Sequence, residues 1–376
     1  MTRRKTWPWW QRFWAQDWLA ILAAAILIAT GLAFIYSASW RGEEIGLAGG
    51  WFNKQIVWVT LGTALAFTLA QVDYRVWLRQ AWWLYLASII LLVLVLVAGT
   101  KVYGAYRWLN VFGVQVQPSE FAKVALVILL ARILGGGAIH PRSFGAVVVT
   151  LLLMAVPFLL ILKEPDLGTA AILLPTTLLI LLAAGAAWRY LLGLGLLAAL
   201  SAPLGWFFLS NYQRERIATF LDPSRDPLGS GWNALQSAIA VGSGGWSGKG
   251  FLKGTQNVLG FLPRTVAPTD FIFPVIAEET GFIGASLLLL VFGVLLTCYL
   301  RVAGTTRDPA GSLLATGMAS LLFCHVVVNI GMTIGLLPIT GLPLPLVSSG
   351  GSFMLSTMAG FGLVQSVYVR RMRREE

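Results

Sequence analysis

Residues 261–282, with the sequence FLPRTVAPTDFIFPVIAEETGF, join a long polar segment to the start of an apolar helix. One carboxylate, Asp270, lies at this junction, between Pro268 and Phe271. A helix that begins here would point its free N–H groups and the positive end of its dipole at this position. Asp and Thr are also common N-cap residues. Thr269 and Asp270 therefore have two interpretations, a helix cap or a functional carboxylate.

The composition around this stretch is that of a membrane protein. Of the 376 residues, 57% are hydrophobic and 11% are charged, and the mean hydropathy is +0.77. Average globular proteins carry roughly 25% charged residues. We therefore expect an all-α polytopic membrane protein in which residues 1–376 form one domain. Cys298 and Cys324 lie in apolar runs and indicate no disulfide framework, and the sequence has no Cys/His spacing typical of a metal site.

The formal net charge is +11, and much of it lies at the two ends of the chain. A basic protein can bind nucleic acid, but basic ends beside membrane spans are typical of cytoplasmic anchors on anionic lipid. We expect residues 1–17 and 370–376 to be cytoplasmic. The first apolar run is too long for the core of a cleavable signal peptide.

Ten apolar runs have about the 17–25 residues that a membrane helix needs. They are predicted near residues 18–38, 56–71, 81–98, 119–134, 145–162, 168–187, 190–209, 273–300, 311–337 and 346–369. With the N-terminus inside, arginines such as Arg75, Arg132 and Arg189 fall in inner loops, as the positive-inside rule requires. This orientation places residues 210–272, the large segment between spans 7 and 8, on the extracytoplasmic side.

Two charged residues lie inside the fourth predicted span. Glu120 and Lys123 are three residues apart, so on a helix they share a face and can form an ion pair. A charge at the centre of a membrane helix costs about 2.5–3.5 kcal/mol on insertion scales, so the two side chains should face each other or a cavity. Both a functional pair and a pair that only joins helices fit this pattern.

The outer segment concentrates basic residues and glycine. Arg214 and Arg216 follow the seventh span, and a guanidinium suits phosphate, although either arginine would also suit an interfacial anchor. Residues 242–256, GSGGWSGKGFLKGTQ, resemble a phosphate-binding loop only superficially. Ser243 and Gly250 replace the first Gly and the Ser or Thr of that motif. We expect a flexible loop in which Lys249 and Lys253 suit an anionic ligand.

Residues 335–352, GLLPITGLPLPLVSSGGS, interrupt an otherwise apolar run with three prolines and several glycines. Broken backbone at membrane depth is tolerated where it is buried or lines a cavity. We expect this segment to pack against the outer segment and to form part of the mouth of a pocket. A tight turn between spans 9 and 10 is compatible with that interpretation.

These stretches together resemble the SEDS family (shape, elongation, division and sporulation) of bacterial membrane proteins. The matching motifs are RWLNVFGVQVQPSEFAKVALVILLAR, KEPDLGTA, YQRERI, GSGGWSGKGFLKGTQ, FLPRTVAPTDFIFPVIAEETGF and GMTIGLLPITGLPLPLVSSGGS, between residues 107 and 352. They occur in the family's order, which makes the resemblance specific. PITGLPLPLVSSGGS is more similar to the elongation branch than to the division branch. Ser349 stands where the family often has Tyr, and Glu164 where Gln is common.

The resemblance implies a peptidoglycan glycosyltransferase of the bacterial cytoplasmic membrane, with its active site on the outer side. Such proteins polymerise lipid II, the undecaprenyl-linked disaccharide pentapeptide, onto a growing glycan strand and release undecaprenyl diphosphate. They work with a class B penicillin-binding transpeptidase and other elongation proteins. The family's essential aspartate corresponds to Asp270, and its conserved Glu and Lys correspond to Glu120 and Lys123. The remaining candidate substrate-binding residues are Arg107, Arg214, Arg216, Lys249 and Gln256.

The resemblance implies no certain cofactor, and a divalent metal could share the stabilisation of the diphosphate. A second hypothesis is a transporter or flippase of lipid-linked cell-wall precursors, which the many spans, the intramembrane charges and the proline-broken helices also suit. A third is the division-specific member of the same family, and a fourth is a non-catalytic scaffold for the transpeptidase. The clustering of informative residues on the outer side favours the glycosyltransferase.

Overall fold

The computed structural model describes residues 9–40, 45–102, 105–111, 113–137, 139–208, 211–226, 229–263 and 265–371. Most of the basic residues at the two chain ends lie outside these ranges. The first helices are α1 Trp9–Trp14, α2 Trp18–Ser39, α3 Ile45–Gln71, α4 Tyr74–Arg79, α5 Ala81–Ala98, α6 Pro118–Gly135, α7 Phe144–Lys163, α8 Leu167–Ala183 and α9 Trp188–Phe208. The later helices are α10 Asn211–Leu221, α11 Ser230–Ser243, α12 Thr255–Val258, α13 Ile272–Thr305, α14 Pro309–Thr333 and α15 Gly351–Arg370, with a 3-10 turn at Pro223–Arg225.

Long apolar helices dominate the described part of the chain. Six of them are long and apolar enough to cross a membrane, namely α2, α5, α7, α13, α14 and α15. Four more long helices, α3, α6, α8 and α9, overlap the other predicted spans. Helix α3 begins at Ile45 rather than near Ile56. In its first half, the Gln55 side chain donates to the Ser348 carbonyl at 3.3 Å and accepts from the Gly350 N–H at 3.1 Å.

The expectation of a purely helical chain is wrong between α5 and α6. This segment forms a three-stranded antiparallel sheet, β1 Thr100–Val102, β2 Ala105–Val111 and β3 Val114–Val116, in the order β1-β2-β3. Leu109 pairs with Val116, and the Asn110 side chain accepts from the Gly113 N–H at 2.9 Å in the turn. β1 and β3 have three residues each, too few for an alternating pattern to stand out in the sequence.

About half of the large polar segment after α9 is helical. It contains α10, α11 and α12, and α11 is joined to the end of α14 because the Ser237 hydroxyl donates to the Thr333 carbonyl at 2.6 Å. The core of the helical bundle lies around α6, α14 and α15, most of whose residues are buried. Such helices pack by van der Waals contact, since lipid supplies no hydrophobic driving force between them.

Helix α13 is interrupted at Gly281, where φ is 69° and ψ is −167°. Only a residue without Cβ adopts this conformation readily. The glycine-rich loop, residues 244–250, fills the break with backbone hydrogen bonds. The N–H groups of Phe282 and Ile283 donate to the carbonyls of Gly245 and Trp246 at 2.8 and 3.1 Å, and Lys249 and Gly250 donate to the carbonyls of Glu278 and Glu279 at 3.0 Å each.

Two buried glutamates beside this break reinforce the docking. Glu278 accepts from Lys249 Nζ at 2.6 Å, from the Thr255 hydroxyl at 3.0 Å and from the Gln256 N–H at 3.0 Å. Glu279 accepts from the Ser37 hydroxyl in α2 and from the Leu252 N–H at 3.1 Å. The loop is therefore bound by both main chain and side chain, and the expectation of a flexible loop is wrong.

Replacing Gly248 by alanine should destabilise this docking. Gly248 has φ 76°, and a Cβ there would lie 2.1 Å from the Glu279 carbonyl oxygen. Such a conformation costs other residues about 1–3 kcal/mol, and displacement of the loop adds to that cost. The measurement is thermal unfolding of the purified variant, with Gly242→Ala as the matched control.

Gly242 is a helical residue of α11 with open space around its Cβ position. Alanine there should be neutral or slightly stabilising, because glycine is a poor helix former. Equal unfolding temperatures for the two variants would contradict the docking role of the loop.

Candidate active site

Asp270 lies in the turn that precedes α13 and does not cap that helix. The N-cap residue is Phe271, and no side chain makes a cap hydrogen bond there. The backbone N–H groups of Asp270 and Phe271 both donate to the Val266 carbonyl, at 2.9 and 3.1 Å, so the chain forms a tight turn before the helix begins. The cap interpretation of Thr269 and Asp270 is therefore wrong, which leaves the Asp270 carboxylate available for another role.

The proline-broken segment, residues 334–350, fixes the backbone on both sides of this carboxylate. The Asn329 side chain donates to the Asp270 carbonyl at 2.9 Å and to the Leu342 carbonyl at 2.6 Å. The Ser349 N–H donates to the Pro268 carbonyl at 2.9 Å. The predicted packing of this segment against the outer segment is confirmed. Ser349 makes this contact through its backbone, so it does not depend on the side chain in which this sequence departs from the family.

Burial and the neighbouring arginine charges shift the pKa of Asp270 in opposite directions. Partial burial beside Gly341, whose Cβ position lies 3.2 Å from Asp270 Oδ2, is the main cause that raises the pKa of Asp270 to about 6. The Arg216 charge is the strongest influence that lowers this pKa, with a smaller effect from Arg107, whereas Asp166 raises it. The pKa of Asp270 therefore lies closer to neutral pH than that of an ordinary aspartate.

Arg107 and Asp166 form a second polar group near Asp270. The Arg107 guanidinium, on β2, donates to the carbonyls of Glu164 and Pro165 and lies 4.0 Å from an Asp166 oxygen. Asp166 caps α8 by accepting from the Thr169 N–H at 3.2 Å, and its carboxylate also accepts from Gln117. Sequence reasoning quoted the KEPDLGTA motif but gave Asp166 no role, because a cap and a site residue look alike in sequence.

Glu164 is the most isolated acid in this region. Its side chain is fully buried, and neither carboxyl oxygen has a hydrogen-bond partner among the residues that the structure describes. Burial is the main cause that raises its pKa to about 8; the Asp166 charge adds to the rise and Arg107 opposes it. The only sequence feature that distinguished Glu164 was its departure from the Gln that is common at this position in the family.

The predicted pairing of Glu120 with Lys123 is confirmed. Lys123 Nζ lies 2.9 Å from a Glu120 oxygen and 2.8 Å from His325 Nε2, and the Ser356 hydroxyl donates to Glu120 at 3.3 Å. The group joins α6, α14 and α15. Together with Phe353 it lines a separate cavity of about 40 Å³ that Asp270 does not line. His325 was not recognised as a partner from the sequence.

The two arginines of α10 have different surroundings. Arg216 donates to the Ile339 carbonyl at 3.0 Å and acts on the charge of Asp270. Arg214 donates to the Phe207 carbonyl at the end of α9, at 2.9 Å. The structure therefore brings Arg216 to the Asp270 site, whereas the Arg214 contact suits the interfacial anchor that its sequence also allowed. A substrate role for each stays a prediction.

The Lys249 side chain and the Gln256 backbone both bind the Glu278 carboxylate. Lys249 forms an ion pair with it, and the Gln256 backbone N–H donates to the same carboxylate oxygen. The Gln256 side-chain oxygen is buried with no hydrogen-bond partner within the described ranges. Their predicted contact with substrate stays a prediction. Across those same ranges, no group of three or more His, Cys, Asp or Glu side chains could hold a metal ion.

Comparison with known proteins agrees with this architecture. The peptidoglycan glycosyltransferase MrdB of Escherichia coli K12 is 40% identical over 363 residues, covering 96% of this chain and 95% of that protein. Stage V sporulation protein E of Bacillus subtilis is 35% identical over 372 residues, covering 98% of each.

Two solved structures are also similar. A chain from a peptidoglycan synthase complex that coordinates polymerization and crosslinking has a TM-score of 0.79 and 34% identity, covering 96% of this chain and 99% of that one. The crystal structure of the rod shape determining protein RodA of Thermus thermophilus has a TM-score of 0.71 and 31% identity, covering 96% and 98%. The family model for FtsW, RodA and SpoVE, described as cell cycle protein, matches residues 17–373. The chain therefore belongs to the FtsW/RodA/SpoVE family, the SEDS family that its motifs predict.

Proposed function

We propose that this protein is an inverting peptidoglycan glycosyltransferase that polymerises lipid II into β-1,4-linked glycan strands and releases undecaprenyl diphosphate. The observation that carries the proposal is the Asp270 carboxylate, whose pKa is raised to about 6 and whose backbone is held by Asn329. Arg216 and Arg107 act electrostatically on the same carboxylate. A base beside two fixed cations suits a reaction in which a hydroxyl attacks and a diphosphate leaves.

In this mechanism Asp270 accepts the proton of the acceptor 4-hydroxyl as that oxygen attacks the anomeric carbon of the lipid-linked donor. The new glycosidic bond forms as the bond to the diphosphate oxygen breaks, with inversion. Arg216 and Arg107 stabilise the negative charge that develops on the leaving group. Arg107 is positioned for this by the carbonyls of Glu164 and Pro165, so its charge needs little reorganisation during the reaction.

The proposed topology has ten spans in the bacterial cytoplasmic membrane. It assigns α3, α6, α8 and α9 to the membrane with the six more apolar helices, and it places both termini in the cytoplasm. The large segment around α10–α12 and Asp270 then lie on the extracytoplasmic side, where lipid II is presented. The arginines of the inner loops support this orientation through the positive-inside rule.

We propose an elongation role and a class B penicillin-binding transpeptidase as partner. MrdB is more similar in sequence, at 40% identity, than the Bacillus subtilis sporulation protein, at 35%. The similar peptidoglycan synthase complex couples polymerization to crosslinking, and the protein proposed here would supply the polymerised strand to such a crosslinking enzyme.

Asp270→Asn should abolish polymerisation of purified lipid II in the presence of the partner transpeptidase. The amide has nearly the same shape but cannot accept the proton, and general-base assistance is worth about 10²–10⁴-fold. The measurement is glycan polymer formed per unit time, with elution profile and unfolding temperature as checks on folding. Asp222→Asn is the matched control, since Asp222 is an exposed acid of the same outer segment that pairs with Arg225.

If the Asp270→Asn protein forms polymer at the native rate, Asp270 is not the general base. If neither protein makes polymer, while lipid II crosses liposome bilayers that contain the native protein, the transporter hypothesis is favoured instead. A native protein that does neither would support the scaffold hypothesis.

The pH dependence should follow the ionisation of Asp270. The carboxylate accepts a proton only above its pKa, so kcat/KM should decrease as the pH falls through about 6. Arg216→Gln removes the charge that lowers this pKa, so the acid limb of the profile should move to higher pH. Arg214→Gln, on the same helix, should leave the limb in place. A flat profile between pH 5 and 7, or a limb that moves to lower pH in Arg216→Gln, contradicts the assignment.

A further inference from the structure

A second cavity, of about 180 Å³, lies at the outer face between α10, α11 and the residues that follow α14. Phe220, Leu235, Met332 and Leu337 contribute to its lining, which is mostly apolar. Gly335, Leu337 and Ile339 in its lining belong to residues 335–352, the segment that is predicted to form part of the mouth of a pocket. Its walls come from two parts of the chain more than 90 residues apart, residues 216–238 and residues 332–339.

One cation lines this otherwise apolar cavity. Arg216 contributes to the lining and donates to the carbonyl of Ile339, another lining residue, at 3.0 Å. Two residues beyond Ile339, the chain runs beside the Asp270 carboxylate at Gly341. The cavity is therefore connected to the candidate active site through Arg216, and an occupant would have an apolar part in the cavity and an anionic part at its Asp270 end.

The volume limits the size of the apolar part. A protein cavity of about 150 Å³ lined by apolar side chains accepts benzene, which has six carbons. A cavity of about 180 Å³ therefore has room for about one five-carbon isoprenyl unit. Apart from Arg216, Thr219 is the one lining residue with a polar side chain within the described ranges. Most hydroxyls of a sugar ring would therefore lack partners, at a cost of about 1–3 kcal/mol for each unpaired group, so a saccharide does not suit the cavity.

The surface around the cavity is suited to the rest of a lipid chain. Leu221 is 77% exposed, Leu235 52% and Leu336 70%. These side chains come from α10, α11 and the residues after α14, the same elements that form the cavity. A helix with exposed apolar side chains at a membrane surface lies in the interface, so a chain that leaves the cavity meets apolar surface and then lipid.

We propose that this cavity binds the first isoprenyl unit of a polyprenyl diphosphate, with its phosphate groups at Arg216 and its remaining isoprenyl units directed to the membrane. This inference rests on the proposed function, because it assigns a subsite to the lipid-linked donor. It gives the leaving diphosphate a fixed position at Arg216. It also makes Arg216 the residue at which the apolar and anionic parts of the ligand meet.

The test compares two soluble probes of equal charge on the purified full-length protein. Dimethylallyl diphosphate carries one isoprenyl unit, whereas methyl diphosphate carries the same charge and lacks four carbons. Isothermal titration calorimetry should give at least about 10-fold tighter binding of dimethylallyl diphosphate, since small apolar groups in a fitting pocket are worth about 10–200-fold each. Equal affinities of the two probes would overturn the proposal without any variant being needed.

Variants then test whether this cavity is where the isoprenyl group binds. Ala238 lines the cavity, and the neighbouring Ile239 is exposed and does not. Ala238→Phe should lower the affinity for dimethylallyl diphosphate to that for methyl diphosphate and leave the latter unchanged. Ile239→Phe, the matched control, should change neither. Arg216→Gln should weaken the binding of both probes. If Ala238→Phe keeps the preference for the isoprenyl probe, or if Arg216→Gln weakens neither probe, the proposal is wrong.

Polymerisation of lipid II by the same preparation separates this inference from the proposed function. A protein that polymerises lipid II but binds both probes equally would retain the proposed function and refute the isoprenyl subsite. A protein that prefers the isoprenyl probe but forms no polymer would retain the subsite and refute the glycosyltransferase.

Discussion

The backbone of α13 stops being helical at Gly281, and the main-chain groups released there must find partners within the protein, because unpaired backbone groups in an apolar environment are costly. The glycine-rich loop supplies them with four backbone hydrogen bonds. These hydrogen bonds determine where the outer segment lies relative to the long helices. Glu278 and Glu279 then bind the loop and α2 through their side chains. The position of the outer segment, and of the turn that carries Asp270, depends on this junction.

The active-site proposal depends on a second group of backbone contacts. Asn329 donates to two carbonyls, one at Asp270 and one in the proline-broken segment. The proline-broken segment in turn places Ile339 beside Arg216 and Gly341 beside the carboxylate. Prolines and glycines remove regular helix here, and the backbone groups they release determine the site. Partial burial then raises the pKa of Asp270, while the fixed arginine charge keeps it near neutrality.

The buried charges of α6 have a different physical role. Glu120 and Lys123 pair with each other and also contact His325 and Ser356, so the polar atoms are shared among α6, α14 and α15. An isolated buried charge would be expensive, and the hydrogen bonds among these side chains lower that cost. The pairing specifies how three core helices meet below the proline-broken segment. The sequence alone allowed both this structural role and a functional one.

The sequence by itself determined the membrane class, the positions of the long helices and the family, because apolar length and motif order are local properties that need no knowledge of contacts. It also identified Asp270, Arg216 and the Glu120–Lys123 pair as candidates. Only the tertiary structure decided which candidate meets which partner. In the structure Lys249 forms an ion pair with Glu278, and Arg216 lies close enough to Asp270 to affect its charge. Asp270 does not cap α13. The contacts of Asp166 and Glu164 and the small sheet were visible only in the structure. These outcomes depend on groups far apart in the chain, and no local pattern records the partner that a charged or polar side chain will find once the helices pack.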